Sequence, residues 1–125
     1  MKKLSRKGWI IKCGDAWRQI IYLKVHCEYC KEKFEKYNAH HLIKRSHLAT
    51  RFDINNGCNL CISCHFKVEQ NSPDAYELMN IMIRERGKDW YQALIAKKDT
   101  TVKWYEKELS EIYEKLLKEF NKLNK

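Results

Sequence analysis

CEYCKEKFEKYNAHHLIKRSHLATRFDINNGCNLCISCH, residues 27–65, sets two Cys-x-x-Cys pairs around a His-His dipeptide and closes on His65. The pairs are Cys27/Cys30 and Cys61/Cys64. His40, His41 and Asn56 lie between them, and His65 directly follows Cys64. Two-residue spacing lets both thiolates of a tight turn reach one ion. Two such pairs, about 30 residues apart, predict a closed tetrahedral site for Zn²⁺ with Zn–S near 2.3 Å. A shell of four sulfurs leaves no open coordination position, so its predicted role is structural. The histidines are then free for chemistry. Cys58 falls outside the register, and Cys13 reads as a small buried apolar residue.

Tyr37-Asn38-Ala39-His40-His41-Leu42-Ile43 reads as a short strand, followed by a polar loop and the turn signal Asn55-Asn56-Gly57. A helix is expected from Cys61 through His65 and Glu69. Adjacent strand residues project to opposite sides, so one of His40 and His41 can face a metal while the other faces substrate. Zinc at Cys64 fixes the start of the helix that carries His65 and so aims its imidazole. Glu69, four residues on, lies on the same helical face and can share the same cation.

Trp17, Ile20, Ile21 and Val25 predict an amphipathic helix over 14–25, with its apolar face on the zinc module. Downstream, Ser72 as N-cap with Pro73 at the first helical position starts a second helix. Its expected stripe is Tyr76, Met79, Met82 and Ile83, and Gly87 ends it. A third helix is expected over 88–97. A long helix after Asp99-Thr100-Thr101, running to near Leu123, carries Val102, Tyr105, Leu109, Ile112, Leu116 and Phe120, widened by Tyr113 and Leu123. That stripe is expected to pack on the two preceding helices, or alternatively to make a homodimer.

The chain has 125 residues and a formal charge of +9. Residues 1–72 hold 14 Lys/Arg against 6 Asp/Glu, and residues 73–125 hold 11 against 10. The excess sits with the Cys/His cluster, where a polyanion such as DNA would dock. Lys44, Arg45, Arg51 and Lys67 flank the cluster and are the candidate phosphate contacts. Paired cysteines, abundant lysine and the lack of a signal peptide or membrane span predict a soluble, intracellular (cytoplasmic) protein with no membrane partner. The tryptophans and tyrosines at helical spacing, Trp17 among them, read as core rather than as platforms for bases.

Ala39-His40-His41-Leu42-Ile43, Asp53-x-x-Asn56-Gly57 and Leu60-Cys61-x-x-Cys64-His65 together resemble the HNH endonucleases, ββα-metal nucleases whose zinc-containing branch has the same two Cys-x-x-Cys pairs. Arg45-Ser46-x-Leu48-x-Thr50-Arg51-Phe52-Asp53 and Arg86-Gly87-x-x-Trp90-Tyr91-x-Ala93-Leu94 extend the resemblance toward phage NinG-like recombination proteins. The resemblance implies His41 as general base, His40 and His65 as ligands of a catalytic Mg²⁺, Mn²⁺ or Ni²⁺, and Asn56 (with Asn55 one register away) as the loop brace. Glu69 stands where the family often has a third ligand.

The expected fold is α+β: a small ββα-metal core (27–72), preceded by a basic segment and helix (1–26) and followed by a helical extension (73–125). The expected function is metal-dependent cleavage of DNA, with branched or recombination DNA of a phage as the substrate the wider resemblance implies. A non-catalytic zinc-ribbon DNA-binding accessory protein is the alternative.

Overall fold

Strand β1 (Tyr37–His41) pairs antiparallel with β2 (Gly57–Cys61), setting His41 opposite Gly57, His40 opposite Cys58 and Asn38 opposite Leu60. This hairpin belongs to a computed structural model that describes residues 3–69 and 72–125. Met1 and Lys2 of the basic start, and Asn71 before Ser72, lie outside them. Directly opposed residues share a face of a sheet. His41 and Gly57 therefore lie on one side, and His40 and Cys58 on the other. All five residues of β2 are buried, because helices cover both faces.

On the His40 face, β2 runs straight into α3 (Ile62–Val68), with Cys61 as its N-cap. Helix α4 (Pro73–Arg86) packs on α3. Cys58, Leu60, Val68, Leu78 and Met82 form one core with Cys27, Cys61 and Cys64. Helix α5 (Lys88–Lys98) follows after Gly87, and packs on α4 and on α2 (Leu48–Arg51). Gly87 has φ +101°, a backbone conformation that side chains disfavour. On the His41 face, α1 (Arg6–Ile21) and α6 (Glu106–Leu123) pack together. Cys13, Trp17, Ile20 and Ile21 meet Phe52, Trp104, Leu109 and Leu116 in a second core. The hairpin thus lies between two cores.

Several expected elements are displaced. The first helix starts at Arg6, not residue 14, because Ser5 supplies the cap: its Oγ accepts from Gly8 N–H at 3.1 Å. It ends at Ile21, which leaves Val25 exposed. Its apolar face lies chiefly on α6 rather than on the cysteine cluster. Helix α6 begins at Glu106, where Glu108 Oε1 accepts from Tyr105 N–H at 3.2 Å. It is therefore about 27 Å long, and Tyr105 and Leu123 are exposed. Its main partner is α1, not the two preceding helices, so the stripe considered for self-association is already covered. On α4 the buried positions are Leu78 and Met82, while Tyr76 is exposed. The strand stops at His41, two residues short of Ile43. Among the described residues no helix is long and apolar enough to cross a membrane.

A polar latch ties α4 to the hairpin. Glu28, 5 % exposed, accepts from Asn59 N–H at 2.6 Å and pairs with Arg86 Nη2 at 3.1 Å. Arg86 also donates to the carbonyls of Gly57 and Asn55, and Trp90 Nε1–H donates to Asn55. Each buried charge is thereby paired and hydrogen-bonded.

Gly57 has ordinary backbone angles (φ −102°), yet the position is closed to larger residues. A Cβ there would lie 2.0 Å from Ile21 Cδ1 and 3.0 Å from Trp17 Cζ2. Gly57→Ala is expected to cost about 1–3 kcal/mol by overpacking, read as a lowered thermal midpoint. An unchanged midpoint would mean that α1 does not seat on β2 in this way.

Candidate active site and metal centre

The cysteine cluster is assembled from two turns of similar build. In the first, Lys31 N–H reaches back to the Cys27 carbonyl at 2.9 Å, and Lys31 takes φ 69° to do so. In the second, Cys64 N–H points at Cys61 Sγ at 3.4 Å. Hydrogen-bonding of N–H groups to sulfur favours thiolate over thiol. Burial raises the Cys27 thiol, but backbone hydrogen bonds at Cys61, Cys30 and Tyr29 outweigh it and bring it down to about 7. The Sγ atoms of Cys27, Cys30, Cys61 and Cys64 lie within 4.8 Å of one another. A tetrahedral ion with sulfurs at about 2.3 Å needs them about 3.8 Å apart, so the set fits a metal with little movement. Cys58 stays out of it, buried with its Sγ 4.0 Å from Met82 Sδ. Cys13 is buried and donates to the Leu109 carbonyl.

The histidines separate as strand geometry requires. On one face, the rings of His40 and His65 meet edge to face with centroids 5.3 Å apart. His65 Nδ1 lies 3.3 Å from the Asn38 amide and 3.8 Å from Glu69 Oε1. Glu69 therefore sits at that ring nitrogen, and among the described residues it does not join His40 and His65 as a third converging ligand. Burial, then the charges of His65 and His41, hold His40 down at about 4. Two imidazoles side by side offer a donor pair that a divalent cation can use.

On the other face His41 is held in two ways. Its ring stacks on Trp17 with centroids 4.1 Å apart and planes 10° apart. Its Nε2 lies 2.9 Å from the Arg51 carbonyl. A carbonyl only accepts, so Nε2 carries the proton and Nδ1 has the free lone pair. Burial lowers His41 to about 4 against the opposing pull of the Arg51 carbonyl, and the charges of Arg51, Arg45 and Arg18 act in the same direction as burial.

The loop between the strands is braced by Asn56. Its side chain is fully buried: Oδ1 accepts from Ile43 N–H at 2.7 Å, and Nδ2 donates to Ile43 O and Thr50 O at 3.0 and 3.1 Å. Asn55 is exposed and its hydrogen bonds run through its main chain, so these side-chain contacts belong to Asn56. The loop in turn presents Arg51, whose carbonyl holds His41.

The HNH endonuclease family model matches residues 27–71. That segment is similar to HNH endonuclease domains. Neither the curated proteins nor the solved structures gave a match. The matched segment contains both strands, α2, α3, all four clustered cysteines and His40, His41 and His65, while α1 and α4–α6 lie outside it.

Within the matched segment Lys44, Arg45 and Lys67 are exposed, and Arg51 is half-buried over the Phe52 ring, 5.4 Å from its centroid. Two further cations come from α1. Arg18 acts on His41 and Arg6 on Arg51, and Arg6 Nε donates to the Trp104 carbonyl at 2.7 Å. Nothing local in the sequence marks those two residues or Trp17, because they reach the site only through packing of α1. Asn38 was not singled out either, and strand alternation is the signal that would have found it: it stands two residues before His40, on the same face of the strand.

Asn56→Ala would strip three buried hydrogen bonds and leave Ile43 N–H unpaired. We expect a loss of about 2–4 kcal/mol and faster amide exchange across residues 43–50. Unaltered exchange in that loop would remove Asn56 from its role as brace.

Proposed function

We propose that this chain is a metal-dependent DNA endonuclease that hydrolyses phosphodiester bonds, with Zn²⁺ on the four cysteines as a structural ion. The observation that carries the reading is the division of the His-His pair between the two faces of one strand. His41 has a free Nδ1 beside a cluster of arginines, and His40 meets His65 on the other side. A mere binding module needs only the cysteines.

In this reading His41 Nδ1 takes a proton from a water molecule as that water forms its O–P bond, and the P–O3′ bond breaks. His40 and His65 hold the divalent cation, Mg²⁺, Mn²⁺ or Ni²⁺. When bound, it offsets charge on the phosphate and stabilises the departing oxygen. The Glu69 carboxylate beside Nδ1 favours the ring proton there, which leaves the other nitrogen of His65 for the cation. Arg45 and Arg51, with Lys44 and Lys67, take the flanking phosphates. The NinG-like residues support branched DNA in phage recombination as the substrate, and a panel of linear duplex, single strand, flap and four-way junction tests it. Preference for the junction supports that substrate, and equal rates count against it.

The direct test is nicking of plasmid DNA in each metal, with a chelator control. His41→Ala should lower the rate by about 10²–10⁴-fold while zinc content and DNA affinity stay as in the parent. Parent-like cleavage by that variant would refute His41 as base. Binding without cleavage in every metal would favour the accessory-protein reading.

The low pKa of His41 gives a second expectation. An imidazole at the ordinary 6.5 loses its base form as pH falls through that value, whereas one at about 4 keeps it. The cleavage rate should therefore hold between about pH 7 and pH 5, with zinc content measured alongside. A fall centred near 6.5 with zinc retained would show that the ring is not desolvated.

A further inference from the structure

His41 needs more than its own rotamer to keep its ring in place. The χ2 torsion of histidine joins sp³ to sp² carbon and has broad wells, so the imidazole plane is set by its neighbours. The Arg51 carbonyl fixes one point of the ring, at Nε2, and leaves rotation about that contact open. The Trp17 indole closes that freedom by lying parallel to the ring at 4.1 Å.

Trp17 is itself fixed. It is 1 % exposed, and its Nε1–H donates to the Asp53 carbonyl at 2.9 Å. Asp53 Oδ1 accepts from Asn55 N–H at the start of the turn into β2, and its Oδ2 pairs with Lys97 of α5 at 2.8 Å. The cross-strand neighbour of His41 is Gly57, whose missing side chain leaves the space that the indole and Ile21 occupy. Sequence positions 17, 41, 53 and 57 thus form one packed unit, of which Trp17 alone comes from outside the matched segment.

We propose that Trp17 is a positioning residue for His41: its indole face holds the imidazole plane so that Nδ1 points at the attacking water. This rests on the reading of His41 as general base. It makes α1 a working part of the nuclease rather than a support for α6. Misplacing a reacting group by about 1 Å costs on the order of 10²-fold in rate, which sets the size of the effect.

The test must separate ring alignment from core packing, since removing the indole also empties volume. Trp17→Phe keeps a flat face and loses the bond to Asp53. Trp17→Leu keeps apolar bulk and offers no face. Both are compared at a temperature where melting curves and zinc content show them folded. Trp17→Phe should retain kcat within a few-fold. Trp17→Leu should lose about 10–100-fold in kcat with DNA affinity and KM unchanged. In a His41→Ala background Trp17→Leu should add nothing.

Equal losses in the two variants that track their melting temperatures would overturn the proposal, as would full kcat in Trp17→Leu. The unmodified protein gives an independent readout. The stacked indole should shift the His41 ring protons upfield in the NMR spectrum, and unshielded protons would also overturn the proposal. If His41→Ala still cleaves, it is the base assignment that fails, and the ring-proton shift still reports whether the stack exists.

Discussion

Four sulfur atoms within 4.8 Å of one another tie the turn at 27–30 to the end of β2 and the first turn of α3. Thiolates at that spacing repel, so holding all four deprotonated requires a cation between them. Structural zinc in small domains contributes about 10–16 kcal/mol of apparent binding free energy at neutral pH. A whole domain has only about 5–15 kcal/mol of stability. The ion would thus outweigh the other interactions in a two-stranded hairpin, which is at best marginal unaided. Because Cys64 directly precedes His65, and Cys61 ends the strand paired with that of His40, the same clamp sets the distance between those two imidazoles.

The hairpin then divides the work. One face carries His40, with Asn38 and His65, against the cysteine-rich core. The other carries His41 against Trp17 and the α1–α6 pair. Strand alternation alone places adjacent histidines in two different surroundings, one suited to a cation and one to a proton. Burial keeps both rings neutral near pH 7, which each role needs. The arginines raise the local positive potential without taking the His41 lone pair, since among the described residues the ring's hydrogen-bond partner is a carbonyl at Nε2.

The parts of this site that depend on local spacing were legible in the sequence. Cys-x-x-Cys turns, the alternation of a strand and a helix starting at its N-cap all act within a few residues, so the cysteines, the His40/His41 split and α3 followed directly. The parts built by distant packing were not. Val25 and Tyr76 fit a helical stripe by count and yet are exposed. Ser5 starts the first helix, because a cap followed by Trp9, Ile10, Cys13 and Trp17 makes a longer apolar face than the one beginning at residue 14. The pairing of α1 with α6 joins the two ends of the chain, and no periodicity in either helix names the other as partner. The Trp17–His41 stack follows from that pairing and from Gly57, which looked like a turn residue and is a point of close approach.

Zinc K-edge X-ray absorption on the purified full chain addresses the clamp itself. The account predicts one zinc per chain with four sulfur neighbours at about 2.3 Å and no nitrogen in the shell. A shell containing imidazole nitrogen, or a protein that folds without stoichiometric metal, would contradict it.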